Sequence, residues 1–374
     1  MTCFLLVASS APRKKKLLEL DIVRAAAILA VVLIHATADP TVELPTDSGS
    51  WMAYVAVNKL SNFAVPVFLL LSGLVLFYRY DGDWSGRQAA KFYARRVKQI
   101  VIPYLIWSLF YYLYNQWVVS PANVRLDVAD FASMLLWAET SYHLYFMIII
   151  IQFYILFPIL MSLCQRFPGF RLALFPVGLA LQAACYAYSQ WVEPIPHSPS
   201  LCVTYFGVFA LGGFIGLHYE RFDEWLRRSF RWVLPVAVLL GCGFMLLYQL
   251  ELSQRIFFDN VWYELLFTAY AAFAALALIR LGQLLLERQK RLAGWLLSLG
   301  AVSFGVYLVH PAILTYWKTR VIWESNRMLY YHTDIVGSFV ATLAVPWLLV
   351  WLYGRSRRLF RRAGKPKLPA GDGA

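Results

Sequence analysis

The stretch DIVRAAAILAVVLIHA, residues 21–36, carries a guanidinium and an imidazole inside an otherwise apolar helix. Arg24 is a permanent cation with a planar fork of donors, and His35 can take or give a proton near neutral pH. The two are eleven residues apart. At about 100° per residue that is three turns plus roughly 20°, so both project from one face, about 16 Å apart along the axis. Taken singly, each has a plain reading: Arg24 snorkels to a membrane surface, and His35 is a satisfied structural histidine. The shared face weighs against both, because a polar stripe along one helix suggests a polar cavity beside it. An ionisable group inside an apolar span marks function by default.

The elements that must position these residues follow from composition. The chain has 374 residues, 60% hydrophobic and only 15% charged, where a soluble domain carries about 25% charged residues. Ten apolar spans recur, at about 20–38, 60–78, 99–119, 143–163, 170–190, 201–218, 232–250, 261–279, 294–314 and 335–353. The expected fold is an all-α integral membrane protein of about ten transmembrane helices. Alternate loops hold 27 of the 34 Lys and Arg residues, a partition that predicts both termini in the cytoplasm. Residues 1–16 then form a basic cytoplasmic segment, 17–353 the membrane domain, and 354–374 a basic tail with the composition of a disordered segment. The net charge of +13 thus reads as topology signal and anionic-lipid contact rather than nucleic-acid binding. Five scattered cysteines without a CxxC pair indicate packing residues, neither a disulfide framework nor a metal site. MTCFLLVASSA (1–11) lacks a basic n-region, so it reads as an extension or a start-site ambiguity rather than a cleaved signal. No loop exceeds about 20 residues, so any chemistry must sit within the membrane fold.

An arginine, ten intervening residues and a histidine in the first span resemble the signature of the membrane acyltransferase-3 family. Four further segments are similar to it in order: FAVPVFLLLSGLVLFY (63–78) with its Ser72-Gly73-Leu74 end, FYARRVKQIVIPYLIW (92–107), HLYFM (143–147) and SFGVYLVHPAIL (303–314). The resemblance spans about residues 17–353. It implies a cell-membrane O-acyltransferase, commonly an acetyltransferase, that uses cytoplasmic acyl-CoA as donor substrate and an extracytoplasmic or lipid-linked glycan as acceptor, with no bound cofactor and no metal. It gives Arg24 the coenzyme A phosphates and His35 the role of general base, or of a transient acyl carrier. Arg96 carries over from the third-helix pattern. The family's second arginine falls on Gln99, and Arg95 and Lys98 stand beside it; an ordinary positive-inside cluster is the plain reading. His143, His310, Ser72 and Tyr307 are candidate cavity-lining residues, the two histidines equally candidates for capping a helix end. Asp39, Glu139 and Glu264 are the acids on His35's side, and the sequence does not choose among them. Pro40 disfavours helical geometry at Asp39. His197, His218 and His332 are expected bystanders. The rival class is a polysaccharide or small-molecule exporter on the same scaffold, against which stands the lack of inverted repeats with paired broken helices.

Overall fold

The structure, a computed structural model, describes residues 14–82, 84–254, 256–320 and 328–363, without the side chains of 357–363. The extension 1–13 and the end of the basic tail lie outside the described residues.

Every regular element among the described residues is helical. In chain order these are α1 (Glu19–Ala36), α2 (Pro40–Glu43), α3 (Gly49–Ser61), α4 (Ala64–Tyr80), α5 (Gly86–Arg96), α6 (Ile102–Val119), α7 (Val128–Trp137) and α8 (Tyr145–Arg166). They continue with α9 (Pro168–Trp191), α10 (Phe206–Leu217), α11 (Tyr219–Leu252), α12 (Asn260–Arg288), α13 (Lys290–Arg320) and α14 (Met328–Ala363). Eight helical stretches are long and apolar enough to cross a membrane. The other two expected spans fall on α6, diluted by its YYLYNQW run, and on α10, which is short at 12 residues. Every expected span therefore meets a helix.

Several stretches expected as loop are helical, Gly49–Ser61 (α3) and Gly86–Arg96 (α5) among them. Residues 128–137, expected as loop, form α7, with the Asp127 carboxylate accepting from the Ala129 and Asp130 amides at its start. The basic run 220–231 continues helically into its span, making α11 34 residues long. At about 1.5 Å per residue that is roughly 50 Å, well beyond a hydrocarbon core of about 30 Å.

Helix α1 is central, packing on α3, α4, α12, α13 and α14. Its apolar residues feed two cores, one around Leu20, Val23 and Ala27 and one around Ile28, Val31 and Val32. Backbone approach is bought with glycine at two crossings. A Cβ at Gly73 of α4 would run into the Phe209 carbonyl of α10, and one at Gly300 of α13 would run into the Asp21 carbonyl of α1.

The loops group in space as their charges predict. At one end Asp81 binds Arg171 (2.8 Å) and Lys14 (3.4 Å), Arg227 binds Asp223 (3.0 Å) and Glu287 (3.5 Å), and Tyr219 donates to Glu19. At the other, Lys318 meets Asp39 (2.6 Å), Tyr331 meets Glu43 (2.8 Å) and Gln249 donates to the Met52 carbonyl (2.9 Å).

Candidate active site

His35 sits in the last turn of α1. That turn is tied down by buried Asn58 of α3, whose amide donates to the Ile34 carbonyl (2.9 Å) and to Thr37 Oγ1 (3.2 Å). Helix ends leave carbonyls without intrahelical partners, so the clamp both satisfies one and fixes the ring's root. The imidazole packs on Tyr142 (centroids 4.8 Å) and stacks on His310 (5.3 Å, 28°).

His310 explains its own His-Pro sequence. Pro311 has no N–H, so the carbonyl four residues back, at Tyr307, loses its helical partner. His310 Nδ1 takes that place at 2.7 Å. A carbonyl only accepts, so Nδ1 carries the proton and Nε2 is left as an acceptor. The same helix sends the Tyr307 hydroxyl to the His143 carbonyl, holding the turn before α8. His143 in turn places Nδ1 3.1 Å from Ser141 Oγ and packs its ring on Tyr111 (4.9 Å) and His310 (5.5 Å). Three imidazoles from α1, α13 and the turn before α8 thus form one cluster. The Nε2 atoms of His143 and His310 are buried with no partner among the described residues. A buried polar atom left unpaired costs about 1–3 kcal/mol, so two in one cluster call for an explanation.

A cavity of about 400 Å³ opens beside the cluster, at the end away from the basic loops. His35, His143 and Tyr307 line it, together with Glu264, Tyr186, Tyr205, Tyr248 and Tyr263. His310 is fully buried behind His35 rather than on the cavity wall. Ser72 is elsewhere: its hydroxyl donates one turn back to the Phe68 carbonyl (2.8 Å), and the Ser-Gly segment serves the α4–α10 contact through Gly73. Of the three acids only Glu264 reaches the cavity. Glu139 lies 3.7 Å from His197, whose ring stacks on Trp137. Asp39 faces Lys318, and contrary to the expectation set by Pro40 its backbone is helical (φ −61°, ψ −47°). The chain has already left α1 at Ala36, and Asp39 opens α2 with Pro40 in its first turn, where proline fits a helix start. His332 meets the Tyr54 hydroxyl (2.8 Å), and His218 the Phe214 carbonyl (3.0 Å).

The cations lie away from the cavity, Arg24 and Arg96 each with its own partners. Arg24 binds Asp21 one turn back at 2.5 Å, and Asp21 also takes Lys16 at 2.7 Å. The Arg96 guanidinium lies over Tyr154 (4.5 Å) and Phe92 (5.1 Å), with Nε buried and unpartnered. Arg95 and Lys98 are exposed, and Lys98 lies in a π-helical turn, Val97–Val101, that joins α5 to α6. None of these four lines the cavity.

Several contributors went unread in the sequence, the cavity tyrosines Tyr186, Tyr205, Tyr248 and Tyr263 among them. Asp21 had a signal, its i, i+3 spacing to Arg24. Tyr142 had a weak one, adjacency to His143. Tyr111 and Asn58 had none, because their contacts join distant segments.

A bundle of membrane-spanning helices with a histidine-walled cavity at one end defines a multi-pass membrane protein. Residues 17–351 match the acyltransferase-3 family, described as an acyltransferase domain, and the chain belongs to that family. It is an acyltransferase. The chain is similar to proteins named "Probable poly-beta-1,6-N-acetyl-D-glucosamine export protein". With that of Staphylococcus aureus (strain MSSA476) it shares 22% identity over 327 residues, covering 85% of this chain and 88% of the relative. With that of Staphylococcus epidermidis it shares 23% over 329 residues, covering 85% and 87%. No solved structure matches this chain.

Proposed function

We propose that this chain moves an acyl group, acetyl in the simplest case, from cytoplasmic acyl-CoA to a hydroxyl of a glycan or lipid-linked sugar on the far side of the cell membrane. His35 is the general base. The observation that carries this reading is the position of His35 on a cavity wall at the end of the bundle away from the basic loops, with His310 stacked on it and His143 packed on His310. The basic end is cytoplasmic by the positive-inside rule, so the cavity belongs to the opposite side.

In the reaction the His35 imidazole takes the proton of a sugar hydroxyl while that oxygen attacks the thioester carbonyl carbon. The C–O bond forms and the C–S bond breaks. The coenzyme A thiolate leaves and recovers the proton from the imidazolium. His310, fixed in one tautomer and stacked on His35, holds the ring in place. At the cytoplasmic end Arg24 exchanges its single bond to the Asp21 carboxylate for a phosphate of the donor, which its fork can bind with two. Arg96, with Arg95 and Lys98 nearby in sequence, adds positive charge on that side. The thioester then has about 16 Å to cover along α1.

The relatives' printed name favours a second reading, glycan export. Purified protein given acetyl-CoA and a β-1,6-linked N-acetylglucosamine oligosaccharide separates the two. The transferase adds one acetyl mass to the sugar and releases coenzyme A in equal amount; an exporter leaves the sugar's mass unchanged.

A further inference from the structure

The cavity has two unlike walls, and the reaction uses only one. The wall from α1, α13 and the turn before α8 carries His35, His143 and Tyr307. The opposite wall comes from α9, α11, α12 and the segment before α10 and carries Tyr186, Tyr205, Tyr248, Tyr263 and Glu264, with Asn62, Val65, Tyr145 and Phe146 between the two. Phenol rings surround one acid there.

Glu264 has two polar neighbours. The side chains of Gln182 of α9 and Thr268 of α12 lie beside its carboxylate. Gln182 is itself anchored, with Nε2 3.2 Å from Thr268 Oγ1 and Oε1 accepting the Gly207 amide of α10 at 3.0 Å. A Cβ at Gly207 would press on that same Oε1 at 2.9 Å, so the glycine admits the anchor. Three helices therefore fix the amide that stands beside the acid. Nearby, the Tyr186 hydroxyl is buried with no partner among the described residues. A buried hydroxyl of this kind calls for a polar group that enters the cavity from outside.

We infer that this second wall is the recognition subsite for the sugar unit that becomes acylated. Glu264 accepts from a hydroxyl next to the reacting one, and Tyr186 meets another. A pyranose ring offers an apolar C–H face to the phenol rings and a rim of O–H donors to the acid. Binding sites of this kind pair an aromatic lining with a few fixed polar groups. A cavity of about 400 Å³ is near the small end of ligand sites, roughly 300–1,000 Å³, and suits the reacting sugar with its near neighbour rather than a long glycan segment. A carboxylate accepts and does not donate, so it draws neutral or amino sugars and repels uronates. The inference rests on the reading of a glycan as acceptor. Glu264 is a specificity-determining residue and takes no part in the proton transfer.

The test is equilibrium binding, without donor, of a β-1,6-linked N-acetylglucosamine oligosaccharide and of a glucuronate-containing oligosaccharide to the purified full chain. Wild type and Ser72→Ala, which lies outside the cavity, bind the neutral sugar alike and refuse the uronate. Glu264→Gln weakens the neutral sugar about ten-fold or more, the loss of one charge-assisted hydrogen bond. Tyr186→Phe weakens it a few-fold, and because its hydroxyl has no protein partner this variant keeps the fold if Glu264→Gln does not. Unchanged affinity in both variants, or a wild type that binds no neutral sugar, overturns the subsite. Acyl transfer is measured on the same preparations. Transfer with no dependence of sugar affinity on Glu264 removes the subsite alone; Glu264-dependent binding without transfer removes the transferase reading alone.

Discussion

The two ends of α1 solve different problems with the same helix. At the basic end, Arg24 is held by charge: one carboxylate, Asp21, shared with Lys16 and set among further ion pairs. At the far end, His35 is held by shape: a stacked imidazole, a tyrosine ring and an asparagine clamp on its helix turn, with no ion pair to the ring among the described residues. A charge-held group can trade its partner for a ligand of the same charge. A shape-held imidazole keeps its orientation whatever enters beside it. The difference teaches that, on the proposed reading, the basic end can exchange one anion for another, whereas the far end depends on the fixed position of one ring.

The largest effect expected is at His35. His35→Ala lowers kcat by about 10²–10⁴-fold, the range of base catalysis, while acyl-CoA affinity in detergent stays at the wild-type value. Near-normal turnover in a correctly inserted variant would move the base to another imidazole and erase the contrast. Arg24→Ala comes next, raising the KM for acyl-CoA about ten-fold or more, as expected when a charged hydrogen bond of about 1.5–3 kcal/mol is lost. Arg24→Lys recovers only part of it, since lysine lacks the planar fork. Equal KM in all three forms would leave Arg24 a structural partner of Asp21.

Pro311→Ala sharpens the shape argument. It restores an amide N–H that competes for the Tyr307 carbonyl and frees His310 to change tautomer. Turnover should fall by about ten-fold, equivalent to about 1.4 kcal/mol, with acyl-CoA KM unmoved. An unchanged kcat would separate the tautomer from catalysis. Smallest is the acid response of the basic end. Burial raises the Asp81 carboxyl, but the hydrogen bonds and charges of Arg171 and Lys14 outweigh it and hold the group below its ordinary value. A depressed folded pKa gives stability that is present above the unfolded value and lost as pH falls through the folded one. Asp81→Asn should therefore flatten the loss of thermal stability below about pH 4. An identical acid limb in both proteins would discount the pair.

Much of this organisation was legible in the sequence because helical periodicity and loop charge are local signals. The Arg24–His35 stripe needs only the helical repeat, and the ten spans need only hydropathy. What the sequence left open is non-local. Glu264, Asp39 and Glu139 are equivalent acids until the packing of α9, α10 and α12 turns the first toward His35's cavity and ion pairs or loop contacts turn the others away. Ser72 looked like a cavity residue because the segment's packing role belongs to its neighbour Gly73, and a close crossing with α10 shows only in three dimensions. The π-helical turn after Arg96 likewise has no periodic signature.

The central claim is that the acyl group crosses the membrane while the sugar stays on the far side. Vesicles with the protein in one orientation test it most directly, with acetyl-CoA supplied only at the basic face and the oligosaccharide only at the cavity face. The account predicts acetylated sugar at the cavity face and coenzyme A at the basic face in equal amounts, with both products absent in His35→Ala. Acetylation that occurs only when donor and sugar share one compartment would contradict it.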